Sequence, residues 1–213
     1  MPPIFSFLFF NIILNSMKDN IEDILRLADD YKLQGKLLKA IALYESLLEK
    51  VKDFELSQWL RITLADLYLW IKNYEKAKEL LKESIFLEPN NHLYYYLLGF
   101  VFLGENKIEY ARESFLKALE YSSENPEYIR GLAWTEYLCG NYEKAEGLLK
   151  KVLELDSGNT AARDNLIELL LKEGKLKEAE EEIKKFRDID PYDWKIYERI
   201  QQLREKTKEI KEK

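Results

Sequence analysis

The pentapeptide Asn73-Tyr74-Glu75-Lys76-Ala77 returns unchanged as Asn141-Tyr142-Glu143-Lys144-Ala145. Degenerate copies run from Lys36 to Ala40, Lys107 to Ala111 and Lys175 to Ala179. The closing alanines therefore stand at 40, 77, 111, 145 and 179, with spacings of 37, 34, 34 and 34. Self-similarity at a fixed period of about 20–50 residues marks a chain of stacked supersecondary units, each unable to bury its apolar face alone. The chain must then build a core between neighbours in series, and the length of 213 residues is divided among such units.

Within each unit the apolar period is that of a helix. Leu166 and Leu170 lie four apart, and Ala179, Ile183 and Phe186 fall at steps of four and three, the stripe of a core-facing helix. Glu88-Pro89-Asn90-Asn91 and Asp190-Pro191-Tyr192-Asp193 are stops, because proline disfavours helix in the residue before it and the polar residues that follow can cap the next helix. Small residues at fixed points let paired helices approach, and large ones fill the space beside them.

These copies resemble the tetratricopeptide repeat family from about residue 21 to the end. On the first helix of each pair the family sets a large residue, then Leu and a small residue, then an aromatic; on the second, Ala, a large apolar residue and a small one. The copies carry this as Leu27, Ala28, Tyr31 and Ala40, then Leu64, Ala65, Tyr68 and Ala77, then Leu98, Gly99, Phe102 and Ala111, then Leu132, Ala133 and Ala145, and finally Leu166, Ile167, Leu170 and Ala179. The resemblance implies an all-α fold: a right-handed helical solenoid of five helix-turn-helix repeats over 17–191, closed by a capping helix and charged tail over 192–213. The cap is expected to turn Trp194, Tyr197, Ile200 and Leu203 inward. Two departures stand out. The first junction has three extra residues around Lys52 to Ser57, expected in a loop. In the fourth copy Glu136 replaces the aromatic. A rotation of the helix is preferred there to a partly buried carboxylate, since an unpaired buried charge is costly.

Residues 1–16 carry no charge, and Ile4 to Leu14 is nearly all apolar. Eleven helical residues reach about 16 Å against a hydrocarbon core of about 30 Å, so the run is too short to span a bilayer. No basic segment precedes it and no small-residue cleavage pattern follows, unlike a secretory signal. Three readings stay open: an extension upstream of a start at Met17, a weak membrane or partner anchor through residues 4–14, or an apolar strap in the protein's own groove.

Composition excludes several function classes. A net charge of −6 and a pI near 5.2 oppose sequence-independent nucleic-acid binding, which needs Lys and Arg against phosphates. One cysteine, Cys139, and one histidine, His92, leave no internal disulfide and no zinc site of the usual type. Cys139 reads as a small packed residue and His92 as a helix-start residue. No cofactor, metal or enzymatic activity is expected, since there is no phosphate loop, ligand cluster or catalytic set. A reducing, cytoplasmic setting fits.

The family resemblance implies that the first helix of each pair lines a concave wall. Carried over by register, that wall comprises Arg26, Asp29 and Lys32, then Trp59, Ile62, Asp66 and Trp70, then Tyr96, Leu97 and Phe100, then Arg130, Trp134 and Tyr137, then Asp164, Asn165 and Glu168. Some members grip a peptide's terminal carboxylate with Lys, Asn and Arg. The corresponding positions here hold Leu25, Asp29, Thr63, Leu93 and Leu97, so that clamp is absent. Rigid aromatics are efficient anchors. The expected partner is a peptide or amphipathic helix held by Trp59, Ile62, Asp66, Trp70, Tyr96, Phe100, Arg130, Trp134 and Tyr137, with the protein acting as a scaffold or adaptor. The alternative is a self-associating or membrane-tethered assembly factor that uses the apolar amino-terminal segment, with homo-oligomers in either case open.

Overall fold

The computed structural model describes residues 21–211, so the apolar segment 1–16 lies outside the described residues. Eleven helices and no strand occur among them. The helices are α1 (Ile21–Leu33), α2 (Leu37–Leu48), α3 (Phe54–Trp70), α4 (Tyr74–Leu87), α5 (His92–Gly104), α6 (Ile108–Tyr121), α7 (Pro126–Leu138), α8 (Tyr142–Leu155), α9 (Thr160–Glu173), α10 (Leu176–Ile189) and α11 (Trp194–Lys211). They form five hairpins and a final single helix. The chain divides into two compact units after Leu87, at the Glu-Pro-Asn-Asn stop.

Each hairpin turn is made by one left-handed residue placed five before the repeat alanine. Gly35, Gly140 and Gly174 take φ of 70°, 79° and 75°, while Lys72 and Asn106 take 60° and 59° in the same position. The next N–H reaches back to the carbonyl five residues earlier, from Lys36 to Tyr31 and Asn73 to Tyr68 at 2.8 Å, and from Asn141 to Glu136 at 2.9 Å. These bonds satisfy carbonyls that a helix end otherwise leaves open. The first helices of the pairs, by contrast, begin on side-chain caps: Asp53 accepts from Leu56 N–H at 2.8 Å to start α3, and Asn159 from Ala162 N–H at 2.9 Å to start α9.

In the first unit α2 packs against both α1 and α3, and α3 against α4. Ala28, Ala40, Tyr44, Leu64, Ala65, Tyr68 and Ala77 are buried between them. The extra residues at the first junction are not all loop. Asp53 caps α3 early, so Phe54 to Ser57 join its first turn and α3 reaches 17 residues, where α5 and α7 have 13.

In the second unit α5 to α11 pack in succession, with α7 also touching α5 and α9. All five repeat alanines are fully buried across the two units. The Phe115 ring enters between α5 and α7 where Gly99 and Gly131 leave room. A Cβ on either glycine would lie 2.6 Å from Phe115 Cε1. Around α9, a second core joins Leu149, Leu166, Ile167, Leu170, Ile183, Phe186 and Ile196.

Two expectations about packing need correction. Glu136 is fully buried, and the helix does not turn it out. Its carboxylate accepts from Lys144 Nζ at 2.6 Å, Asn141 Nδ2 at 2.7 Å and Arg112 at 3.1 Å, so the buried charge is paired by α6, α8 and the turn between α7 and α8. Burial alone would raise its pKa, but these hydrogen bonds and the Arg112 charge outweigh it and hold the carboxyl below its ordinary value. The cap helix also presents a different face. Ile196 and Arg199 are buried with Ile200 and Leu203 beside them, while Trp194 and Tyr197 remain 66% and 63% exposed.

Candidate functional site

The candidate wall residues sit on the first helix of each hairpin, and the two units carry them separately. In the first unit Ile62, Asp66 and Trp70 recur every four residues along α3, which places them on one face, with Trp59 about two turns before Asp66. Trp59 is 42% and Trp70 73% exposed, whereas Ile62 and Asp66 are half-buried. Trp59 is held edge-on to Tyr44, with ring centroids 6.0 Å apart, and the Tyr44 hydroxyl donates to Asp29 at 2.6 Å. Burial first, then that bond and the Asp29 charge, push the Tyr44 hydroxyl well above its ordinary pKa, so it serves as a neutral donor. Arg26 is joined to Asp23 at 3.0 Å, on an exposed turn of α1.

Asp66 differs from Asp29, Asp164 and Glu168, the other acids that register assigns to the wall, each of which has a hydrogen-bonded partner. Among the described residues no hydrogen bond or ion pair reaches its carboxylate. Burial raises its pKa, and the Lys32 charge from α1 opposes that rise without closing to an ion pair.

In the second unit the aromatic positions are more engaged with one another. Tyr96 and Phe100 meet edge to face at 5.0 Å, and both lie against Phe115, at 6.1 and 5.3 Å. Tyr96 also packs at 4.7 Å on Tyr128, whose hydroxyl lies 2.6 Å from His92 Nδ1. Phe100 is thus half core. Trp134 stacks on Tyr137 at 4.9 Å, and the Tyr137 hydroxyl donates to Glu168 at 3.4 Å. Arg130 is tied to Glu127 at 2.6 Å.

Of the residues assigned to the wall by register, two are buried and a third, Glu168, is taken up in an ion pair. Leu97 is 8% exposed and belongs to the interior. Asp164 is buried and accepts from Arg199 Nε at 2.7 Å, and Glu168 accepts from Arg199 Nη2 at 2.8 Å. The cap helix therefore neutralises both acids that register assigns to the α9 part of the wall. Arg199, buried at 8%, was not singled out by the sequence. Its signal would have been an Arg beside the inward Ile196 and Ile200 in an otherwise polar helix.

Among the described residues no group of three or more His, Cys, Asp or Glu could hold a metal ion. Cys139 is half-buried, and burial pushes its thiol up, away from the thiolate that nucleophilic chemistry requires. No helix among the described residues is long and apolar enough to cross a membrane.

Tetratricopeptide repeat family models match residues 32–99 and 139–202, and a second such model matches 96–160. The chain belongs to the tetratricopeptide repeat family. Among its relatives, the BBSome complex member BBS4 of Bos taurus is 31% identical over 145 residues, 68% of this chain and 26% of that protein. A TPR repeat-containing protein of Methanocaldococcus jannaschii is 30% identical over 115 residues, 54% of this chain and 20% of that one. The chain thus spans about a quarter or less of the length of these relatives. A thermophilic TPR protein of Thermus thermophilus has a TM-score of 0.72 at 22% identity, covering 85% of this chain and 97% of that one. YrrB, described as a TPR protein with an unusual peptide-binding site, has a TM-score of 0.58 at 19% identity, covering 89% and 96%. At these identities the structural likeness is one of fold. Tetratricopeptide repeat proteins generally mediate protein–protein interactions and are generally not enzymes.

Proposed function

We propose that this TPR protein is a scaffold or adaptor that holds a peptide or amphipathic helix of a partner protein on the aromatic faces of its first-of-pair helices. The observation that carries the reading is the exposure of Trp70, at 73%, in register with Ile62 and Asp66 on α3. A large indole left in water forgoes burial worth about 1.5–3 kcal/mol or more, and such surfaces mark interaction sites when they cluster. Trp59 on α3 and Trp134 on α7 add further partly exposed indoles, each steadied by a tyrosine. Rigid aromatics lose little conformational freedom on binding, which suits them as anchors.

The relatives support protein partners. BBS4 is named as a member of a complex, and the YrrB structure is titled for a peptide-binding site. The self-associating alternative rests on residues 1–16, outside the described chain. A triple variant, Trp59→Ser with Trp70→Ser and Trp134→Ser, tests the reading while sparing Phe100, which supports Phe115. Partner capture from the source cell should fall at least ten-fold with an unchanged helical spectrum. Undiminished capture by the folded triple variant would refute the proposal.

A further inference from the structure

We propose that the first unit reads a cationic side chain, an arginine or lysine set among apolar residues of the partner segment, with the Asp66 carboxylate as its acceptor and the Trp70 indole as its platform. This deepens the peptide-binding reading and rests on it.

The case begins with what α3 leaves unsatisfied. The other acids that register places on the wall have partners, Asp29 accepting from Tyr44 and Asp164 and Glu168 from Arg199, while unpaired acids such as Asp30 and Glu55 are exposed to water. Asp66 has neither a hydrogen bond nor an ion pair among the described residues, yet it is half-buried. A partly desolvated carboxylate without a bonded counter-charge is unfavourable, and burial raises its pKa accordingly. Lys32 acts on it electrostatically from α1 but stands too far away for an ion pair.

The surroundings of Asp66 select the kind of partner. Trp70 lies one turn onward on the same face, about 5–6 Å away at the Cβ level. No ring contact involves it among the described residues, and it is mostly exposed. Indole is the strongest aromatic platform for a cation within about 6 Å of its centroid. Ile62 one turn before, and Trp59 beyond it, offer apolar surface to flanking residues. A carboxylate and an indole separated by one helical turn therefore supply both halves of a guanidinium site: hydrogen-bond acceptance in plane and stacking on its face. An anionic or carboxylate-ended ligand meets repulsion from Asp66, in agreement with the absence of the Lys, Asn and Arg clamp from α1, α3 and α5. A neutral apolar ligand would leave the carboxylate further desolvated and unpaired. A cation relieves that penalty, and it does so only when bound.

The test uses the full chain and a phage-displayed random dodecapeptide library. Wild type is expected to select apolar peptides in which Arg or Lys is enriched roughly three-fold or more over the library. Asp66→Asn should return that enrichment to the library level while still selecting apolar peptides. Asp30→Asn, an equal charge change at an exposed position of α1, should leave the enrichment intact and so account for bulk electrostatics. For one selected peptide, replacing its arginine by citrulline should weaken binding to wild type about ten-fold by fluorescence anisotropy and leave binding to Asp66→Asn unchanged. Apolar peptides selected without basic enrichment, or a citrulline peptide that binds wild type equally, would overturn the cation assignment and leave the aromatic face standing. If no peptide is selected, or selected peptides bind Trp59→Ser/Trp70→Ser undiminished, the peptide-binding reading fails and this inference fails with it.

Discussion

Replacing Gly131 by Ala sets two effects of comparable size against each other, and the structure decides the sign. Gly131 lies inside α7, where alanine is intrinsically favoured by about 1 kcal/mol. On helix propensity alone the variant should be more stable. The new methyl carbon would, however, meet Phe115 Cε1 at 2.6 Å and Cδ1 and Cζ at 2.9 Å, where carbon atoms prefer about 3.5–4.0 Å. The ring would have to retreat by about 1 Å. The same edge of that ring already faces Gly99 of α5 as closely, so moving away from one backbone drives it into the other. Backing out of the slot would instead disturb its edge contact with Phe100, at 5.3 Å. Forcing a carbon into a filled core costs about 1–3 kcal/mol, and the loss of aromatic contacts about 0.5–1.5 more. The net expectation is destabilisation by about 1–3 kcal/mol, read from urea unfolding followed by far-ultraviolet circular dichroism. In a Phe115→Leu background the slot is freed, so adding Gly131→Ala should be neutral or slightly stabilising. The difference between the two backgrounds measures the coupling directly. A Gly131→Ala variant more stable than wild type by about 1 kcal/mol would refute the wedge.

Lys72 occupies the left-handed position taken by glycine in three of the five turns, so Lys72→Gly should stabilise the fold by about 0.5–1 kcal/mol once the added unfolded-state freedom is set against the relieved strain, read as a higher thermal unfolding midpoint. Glu136→Gln should cost about 1–3 kcal/mol at neutral pH, because it removes the charge that three donors hold. Its folded pKa is depressed, so the stabilisation is complete above the ordinary value of 4.5 and disappears as pH falls through the lower folded value; acid titration of both proteins should show their stabilities converging. Asp66 has the opposite sign. Its raised pKa means the folded chain loses stability as pH rises from 3.8 through the higher folded value, and Asp66→Asn should unfold at a higher temperature than wild type at pH 7. A lower midpoint would show that the carboxylate has a structural partner.

The repeat spacing, the helical hairpins and the buried alanines were all readable in the chain itself, because each depends on residues a few positions apart repeating a local pattern. The stripe from Ala179 to Phe186 faces inward for the reason its period states. What the tertiary structure alone decided depends on partners brought from afar. Glu136 tolerates burial because Arg112, 24 residues earlier, and Lys144, in the next helix, converge on it. Asp164 and Glu168 are paired because Arg199 reaches back across 35 and 31 residues. Phe100 and Trp70 look alike as aromatics on first-of-pair helices, yet one leans on Phe115 and the other stands in solvent. Helical period assigns a side chain to a face, but what fills the space above that face is set by packing between helices distant in the chain.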